Sequence, residues 1–242
     1  MRRAAAVILG AAMITGCGLV TDSESEVILG SGVVLSEARE IASFNRIEFG
    51  SEGRVVVTPG TAPSLTITAD DNLQQYLEAS IRGTTLWIRT TDDTDIDPSD
   101  TIVFRIGVED LQSVAVTGFG NVEISPFARA SFTIDLSGAG GFDLEDLTTD
   151  RLVVNGSGAG DVTVRGSAAS AEINISGAVN LHGRELEITE GSVALSGVGR
   201  VTILVTEQLT AAVSGAGSVR YLGDPVIDSS VTGVGGVEQL EE

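Results

Sequence analysis

The chain has no lysine, one cysteine, one histidine and only five prolines among its 242 residues. Without lysine, no phosphate-binding loop of the G-x-x-x-x-G-K-[ST] type exists. Cys17 forms no disulfide within the chain, and together with His182 it falls short of the four ligands of a Cys/His zinc site. A Ser-His-Asp triad would need His182, but no G-x-S-x-G elbow is present, so we interpret His182 as a surface or structural residue. We predict no catalytic residue, metal site or cofactor.

Basic residues are scarce as a class. The formal charge is −20, and such acidity disfavours nucleic acid as a partner because the phosphate backbone repels it. The acidic stretch 92–100 places Asp93, Asp95 and Asp97 at calcium-loop spacing. It lacks the glycine and the closing glutamate that a calcium loop requires, so we interpret it as a solvated acidic loop.

The first residues have the layout of a bacterial secretion signal. Arg2 and Arg3 precede the apolar run 4–13, which is too short for a permanent membrane-spanning helix. Ile14-Thr15-Gly16-Cys17 resembles a lipobox, in which the cysteine becomes the acylated N-terminus of the mature protein. We therefore predict a lipoprotein signal peptide over 1–16 and a lipid on Cys17. Residues 17–35 would form a flexible tether, in which 27–35 is either a short strand or more tether.

Glycine is abundant, with 30 residues, and much of it belongs to a repeat. A Ser/Thr-Gly pair, followed in most copies by a small residue and a second glycine, recurs every 18–20 residues from 117 to 235. A period of this length indicates stacked structural units, and glycine suits sharp corners between short strands. The first glycines are Gly118, Gly138, Gly158, Gly177, Gly197, Gly215 and Gly233. A β-sandwich would not explain seven corners in phase.

Apolar residues keep the same phase as the glycines. One set stands two residues after the second glycine position, and another stands just before most Ser/Thr-Gly pairs. In parallel coils such residues would stack into columns that form a continuous interior. Two copies depart from the pattern, because Gly156 replaces the apolar residue before Ser157 and Val179 replaces a second glycine. The first set comprises Val122, Phe142, Val162, Leu181, Val201, Val219 and Val237.

The part before the repeats, 36–116, also reads as β-structure. Alternation of polar and apolar residues predicts strands, and the spacing of Leu73 and Leu77 predicts one or two helical turns. Trp87 and Tyr76 could stack on sugar rings, but an alternating strand more often buries its Trp, so Trp87 is expected to be buried. The predicted strands cover 46–49, 54–58, 64–69, 85–90 and 101–106.

The sequence resembles the family of the putative auto-transporter adhesins with a head GIN domain. The resemblance lies in Arg39-Glu40-Ile41 with Phe44-Asn45-Arg46-Ile47, in Asp70-Asp71-Asn72-Leu73, in the repeated Ser-Gly-Ala-Gly units, and in the ending Val219-Arg220-Tyr221-Leu222-Gly223-Asp224-Pro225. It covers about residues 36–240. It implies a right-handed parallel β-helix at the cell surface or in the periplasm, with the glycine-cornered repeats spanning 117–242.

Three functional hypotheses follow. The first is a non-catalytic, lipid-anchored, adhesin-like module of the bacterial envelope that binds a surface glycan or protein, with the outer membrane or cell surface as the favoured location. The second is a structural protein that assembles through the ends of its solenoid. The third is a polysaccharide-active β-helix enzyme, which is disfavoured because acidic and arginine positions do not align between repeats.

The lipobox assignment predicts that Cys17→Ala leaves the precursor without a lipid. Because the acyl chains supply the membrane affinity, we expect the variant to move from the detergent phase to the aqueous phase in phase-partition experiments on cells that express the full chain. The unsubstituted protein is the control, and a variant retained in the detergent phase would contradict the assignment.

Overall fold

The computed structural model describes residues 27–92 and 94–241, so the predicted signal peptide and Cys17 lie outside the described residues. Nearly all of the described chain is strand. A single 3-10 turn, Gln74–Tyr76, stands where helical spacing was predicted. The strands are β1 Val27–Leu29, β2 Val34–Arg39, β3 Arg46–Gly50, β4 Glu52–Pro59, β5 Ser64–Asp70, β6 Leu77–Arg82, β7 Thr85–Thr90, β8 Asp95–Asp97, β9 Val103–Val108, β10 Ser113–Val116, β11 Phe119–Ile124, β12 Phe127–Leu136, β13 Ala139–Gly156, β14 Ala159–Ile175, β15 Ala178–Leu195, β16 Val198–Val213, β17 Ala216–Leu222, β18 Val226–Val231 and β19 Gly236–Gln239.

The chain coils into a parallel β-solenoid of about six turns, as predicted. Each of the long strands β13 to β16 pairs in parallel with the next, one repeat further along the chain. Phe142 lies beside Val162, Leu147 beside Gly166 and Leu152 beside Ala171, with a register break after Leu144. One turn therefore contributes three strand segments separated by corners.

The predicted interior column exists residue for residue. The apolar position after the second glycine pairs with its equivalent in every successive turn, from Val122 through Val201 to Val237. All members from Val122 to Val219 are buried, and Val237 packs against the core. Stacking of equivalent residues is thus what builds the core, because a single turn cannot bury its own apolar face.

The first glycine of each corner is required by close contact between turns. A Cβ placed on Gly197 would overlap the carbonyl oxygen of Gly177 one turn below, and the same overlap recurs at the other six corners. These glycines do not adopt positive φ angles. A positive φ occurs instead at several second glycines, for example +147° at Gly160. The predicted conformational role of glycine therefore belongs to the second position, whereas the first serves the close approach.

The corner hydroxyls bond to backbone carbonyls of the turn below. At the second copy, the backbone N–H groups of Ser137 and Gly138 both donate to the carbonyl of Val116, at 3.0 and 2.9 Å. Ser137 Oγ donates to the same oxygen at 3.4 Å, and the Thr117 and Ser196 hydroxyls repeat the contact with Phe49 and Ile175. One carbonyl thus gathers several donors at each of these corners.

The two departures from the repeat compensate each other. A Cβ on Gly156 would stand 2.9 Å from Ile175 Cδ1 and 3.1 Å from Val179 Cγ2, and Val179 is fully buried. At Gly217 the glycine lies in the upper turn and the large side chain in the lower one. A Cβ on Gly217 would stand 2.8 Å from Leu195 Cδ2 one turn below. The large side chain can therefore come from either turn, provided that the other turn supplies glycine.

The N-terminal part continues the same stack. Gly120 pairs with Gly53 and Phe119 with Glu52, so Gly50–Gly53 forms an eighth corner that the spacing of the repeats did not reveal. Strands β7 and β9 add a further layer beneath β3 and β4. The predicted strands are present, but Asp95–Asp97 forms strand β8 within the predicted acidic loop. Strand β1 and the start of β2 lie within 27–35, so of the two alternatives for this part of the segment 17–35 the structure has strand.

The two ends of the stack differ. At the N-terminal end, the antiparallel strands β2 and β6 pair with β5 and β7. Arg39 there bonds to Glu37 and to the buried Gln74, which closes the core with polar groups. At the other end, every residue of β18 is exposed, including Val226 and Val231. The polar cap at the N-terminal end protects its sheet edge from further pairing.

The corner contact predicts that Gly197→Ala destabilises the fold, and Gly197→Val more strongly. The added Cβ must push two turns apart, so we expect a loss of more than about 1 kcal/mol in the free energy of unfolding. Gly236→Ala is the matched control, because a Cβ there meets no atom within 4 Å among the described residues. Equal melting temperatures for Gly197→Ala and Gly236→Ala would contradict this explanation.

The compensating pair predicts a non-additive double mutant. Gly156→Val should overpack the interior, at a cost of about 1–3 kcal/mol, and Val179→Gly should leave a void. Exchanging the two residues conserves volume, so the double variant should recover at least about 1 kcal/mol relative to the sum of the single variants. Chemical denaturation of all four proteins measures this coupling, and simple additivity would show that the two sites are independent.

Candidate binding site

Those predicted site residues that the structure describes have structural roles. The seven first glycines form one corner column, and Cys17 is outside the described residues. His182 is exposed on the solenoid surface, where Nε2 lies 3.1 Å from Asp161 Oδ1. That bond and a second one from Asn180 lower the pKa of the Asp161 carboxyl. The pair joins neighbouring turns, which agrees with the interpretation of His182 as a surface residue.

Arginines on the outer surface also join neighbouring turns. Arg151 bonds to Glu172 at 2.6 Å and Arg165 to Asp143 at 3.0 Å, each about twenty residues away in sequence. Asn155 adds an amide bond of 2.7 Å to Asp135. Exposed pairs of this kind contribute little individually. Within residues 27–92 and 94–241, no group of three His, Cys, Asp or Glu side chains is arranged to hold a metal ion.

An insertion in the first turn creates the most distinctive surface. After β4 the chain leaves the stack, builds the N-terminal layers and returns at β10. The loop before β9 is fixed by the buried Asp70, whose carboxylate accepts bonds from Ser99 N at 2.9 Å, Ser99 Oγ at 2.6 Å and Gly32 N at 2.7 Å. The hydroxyl of Ser99 is the main cause of the lowered pKa of Asp70. Asp70 is therefore a charged carboxylate when it holds the loop.

A cleft of about 850 Å³ lies between that loop and the wall formed by β4 and β11. Phe119 stands at its rim with 74% of its surface exposed. Its position is the third residue of the first corner, where the other six copies carry alanine or valine. We call this surface the Phe119 cleft; besides Phe119 it is lined by Glu52, Gly53, Arg54, Asp97, Pro98, Ser99, Asp100, Thr101, Ile102, Asn121 and Glu123.

Charged groups form the floor of the Phe119 cleft. The Arg54 guanidinium binds both oxygens of Glu123, Nε to Oε1 and Nη2 to Oε2, each at 2.5 Å. Burial, with a smaller contribution from Asp97, raises the pKa of the Glu52 carboxyl. Glu52 Oε1 is buried without a hydrogen-bond partner among the described residues. The cleft thus combines an aromatic face with carboxylates and an amide, groups that fix a polar ligand by stacking and hydrogen bonding.

Trp87 corrects one prediction from the sequence. Its neighbours Leu86 and Ile88 are buried, so Trp87 itself faces outward and is only half-buried. The Arg82 guanidinium lies 4.9 Å from the centre of its ring. The alternation of this strand fits either face, because both residues that flank Trp87 are also large and apolar. Phe119 gives no signal of a cleft in the sequence, because the glycine repeat does not restrict the third residue of a corner.

Other proteins share this architecture. A "putative adhesin" from Bacteroides fragilis is 27% identical and superposes with a TM-score of 0.85 over 88% of this chain and all of its own length. A "putative lipid binding protein" and a "putative adhesin" from Parabacteroides distasonis, 22% and 20% identical, each cover 89% of this chain and all of their own, with TM-scores of 0.73 and 0.70. These two show the fold alone. No curated protein matches the sequence.

A family model decides the membership. The model described as "Putative auto-transporter adhesin, head GIN domain" matches residues 43–225, which is most of the chain. The match includes the eighth corner, the insertion, the Phe119 cleft and six of the seven repeated corners. It also agrees with the resemblance found in the sequence and with the fold shared with the Bacteroides protein. The chain therefore belongs to the putative auto-transporter adhesin family with the head GIN domain.

Proposed function

We propose that the protein is a non-catalytic, adhesin-like binding module that a lipid on Cys17 holds on the bacterial envelope. The Phe119 cleft is its ligand-binding surface, and the ligand is a surface glycan or protein. Family membership supports a location at the cell surface or envelope. The observation that carries the binding role is the cleft itself, in which the exposed Phe119 stands beside the Arg54–Glu123 pair, since ligand sites are concave and combine an aromatic face with a few fixed polar groups.

The construction of the cleft supports binding rather than turnover. Its wall is made of paired strands, and its loop is held by two hydrogen bonds from Ser99 to Asp70, so little ordering is needed when a ligand arrives. Arg54 and Glu123 are occupied by each other. Glycan-cleaving enzymes place a pair of carboxylates on either side of the scissile bond, and such a pair would have to come from Glu52, Asp97 and Asp100, the other carboxylates of this cleft.

Assembly through the C-terminal end is a second candidate, because one observation favours it. Strand β18 near the C-terminal end is entirely exposed, and Val234 in the last corner is 81% exposed. Such an edge offers unpaired backbone groups to another chain. The acids that follow, Glu238 and Glu241, oppose the stacking of two identical ends. Light scattering across a range of protein and salt concentrations distinguishes assembly from ligand binding by a monomer.

The binding proposal predicts a specific loss on Phe119→Ala. The protein is first screened against an array of envelope glycans and surface proteins, and the bound species is then titrated by calorimetry. Removing the aromatic face should weaken binding at least tenfold, equivalent to about 1.4 kcal/mol. Val198→Ala is the matched control, since it removes a 59% exposed side chain from the same position of a later corner.

Two results would refute the proposal. Equal affinities for Phe119→Ala and Val198→Ala would remove the cleft from the binding surface. Recovery of a shortened glycan from the array, detected as a mass change, would show that the protein cleaves what it binds. The melting temperatures of both variants should match that of the unsubstituted protein, because neither side chain belongs to the core.

A further inference from the structure

The N-terminal end of the solenoid exposes five apolar side chains within nine residues. We call them the N-terminal apolar patch: Val27, Leu29, Val33, Val34 and Leu35, each between 46% and 65% exposed. Single exposed apolar residues are common on protein surfaces. These five come from one short segment, and Val34 and Leu35 lie on opposite faces of the edge strand β2, so a surface that takes up this edge meets apolar side chains on both faces.

The patch belongs to the ordered fold. Strand β1 pairs with β8 through three residues. Asn72 Nδ2 donates to the Leu29 carbonyl at 2.8 Å, Asp71 N donates to the Val33 carbonyl at 2.8 Å, and Gly32 N donates to Asp70. The backbone of 27–35 is thereby held against residues 70–72 and 95–99. Its apolar side chains stay exposed because the backbone is fixed there, and not because a tail has frayed.

A second copy of the chain does not fit this surface well. The end of the core beneath β2 is already closed by Arg39, Glu37 and Gln74, so no strand is needed there to complete the stack. Acidic residues surround the patch, among them Asp71 and Asp97, and two copies of the same end would repel each other.

The position of the patch in the chain indicates what covers it. Val27 lies ten residues after Cys17, and ten residues span at most about 35 Å. A lipid on Cys17 would therefore keep the patch within reach of the bilayer and raise its effective concentration there. We propose that the N-terminal apolar patch rests on the membrane surface to which Cys17 tethers the chain; this inference depends on the lipid anchor of the proposed function.

The surrounding charges define the lipid that the patch accepts. Because the neighbouring side chains are acidic and the whole chain carries −20, anionic headgroups would repel it. The partner is thus a bilayer surface of neutral or zwitterionic headgroups. Shallow insertion of valine and leucine side chains at the headgroup boundary supplies the attraction, as it does for other interfacial apolar surfaces.

Contact of the N-terminal apolar patch with the membrane would fix the orientation of the whole molecule. From β2, the stack runs through β5, β9, β4 and β11 and then, turn by turn, to β19. This path contains ten strand-to-strand steps, and at about 4.8 Å each they place the C-terminal end roughly 50 Å from the membrane. The Phe119 cleft, four steps from β2, would lie roughly 20 Å above the headgroups.

The test uses the full-length lipidated protein in zwitterionic phosphatidylcholine vesicles. Cys17 is the only cysteine and carries the lipid, so a cysteine introduced by Val33→Cys is the one free thiol for an environment-sensitive fluorophore. Val234→Cys, at the opposite end, is the matched control. We expect nitroxide-labelled lipids to quench the probe at 33 at least threefold more than the probe at 234.

Each outcome is decisive when the mass of the same sample is measured. If the protein carries the lipid and both probes are quenched equally little, the solenoid is not seated by this patch and the inference is wrong, although the anchor stands. If the probe at 33 is shielded from water but not quenched by the labelled lipids, protein covers the patch and the inference is again wrong. A mass without the lipid would show that the proposed anchor on Cys17 is wrong, and the proposed membrane contact of the patch would be wrong with it.

Discussion

The structure depends on how closely successive turns approach at the glycine corners. At each corner the backbone of one turn lies directly on the carbonyl of the turn below, with no space for a Cβ between them. At the second copy one carbonyl accepts both backbone N–H groups of the following Ser-Gly pair, and this bonding repeats along the stack. The ordinary spacing of parallel strands is thereby maintained around the corner. Every other column of residues inherits its register from this contact.

Interior volume is the second constraint, and it acts between turns. A site next to the corner has room for one large side chain, which either turn can supply. Leu195 fills it beneath Gly217, whereas Val179 fills it above Gly156. The exchange explains how two irregular copies fit in a regular coil without disturbing the registers on either side. The side-chain volume of the interior is therefore conserved over two neighbouring turns and not within each repeat.

Functional surfaces arise where the coil is interrupted. The insertion after β4 supplies Gln74 to the polar cap and the loop that borders the Phe119 cleft. The uninterrupted turns present short cross-turn pairs such as Arg151–Glu172. Asp70 connects these parts, since its carboxylate binds both the loop at Ser99 and the N-terminal segment at Gly32. The proposed ligand site and the N-terminal apolar patch are consequently parts of the same end of the solenoid, joined through Asp70.

The sequence by itself determined the coil. The period of the glycines and the phase of Val122, Phe142 and Val162 predicted the parallel stack and its interior, because stacking of equivalent residues needs only the spacing along the chain. It did not locate the eighth corner at Gly50–Gly53, which is separated from the next by an insertion, nor the outward face of Trp87. Tertiary structure alone decided that Phe119 borders a cleft, that Gly156 and Val179 share one space, and that 27–35 joins the fold. Each of these features depends on which residues distant in sequence come into contact. A periodic pattern carries no information about the contacts made by residues that depart from it.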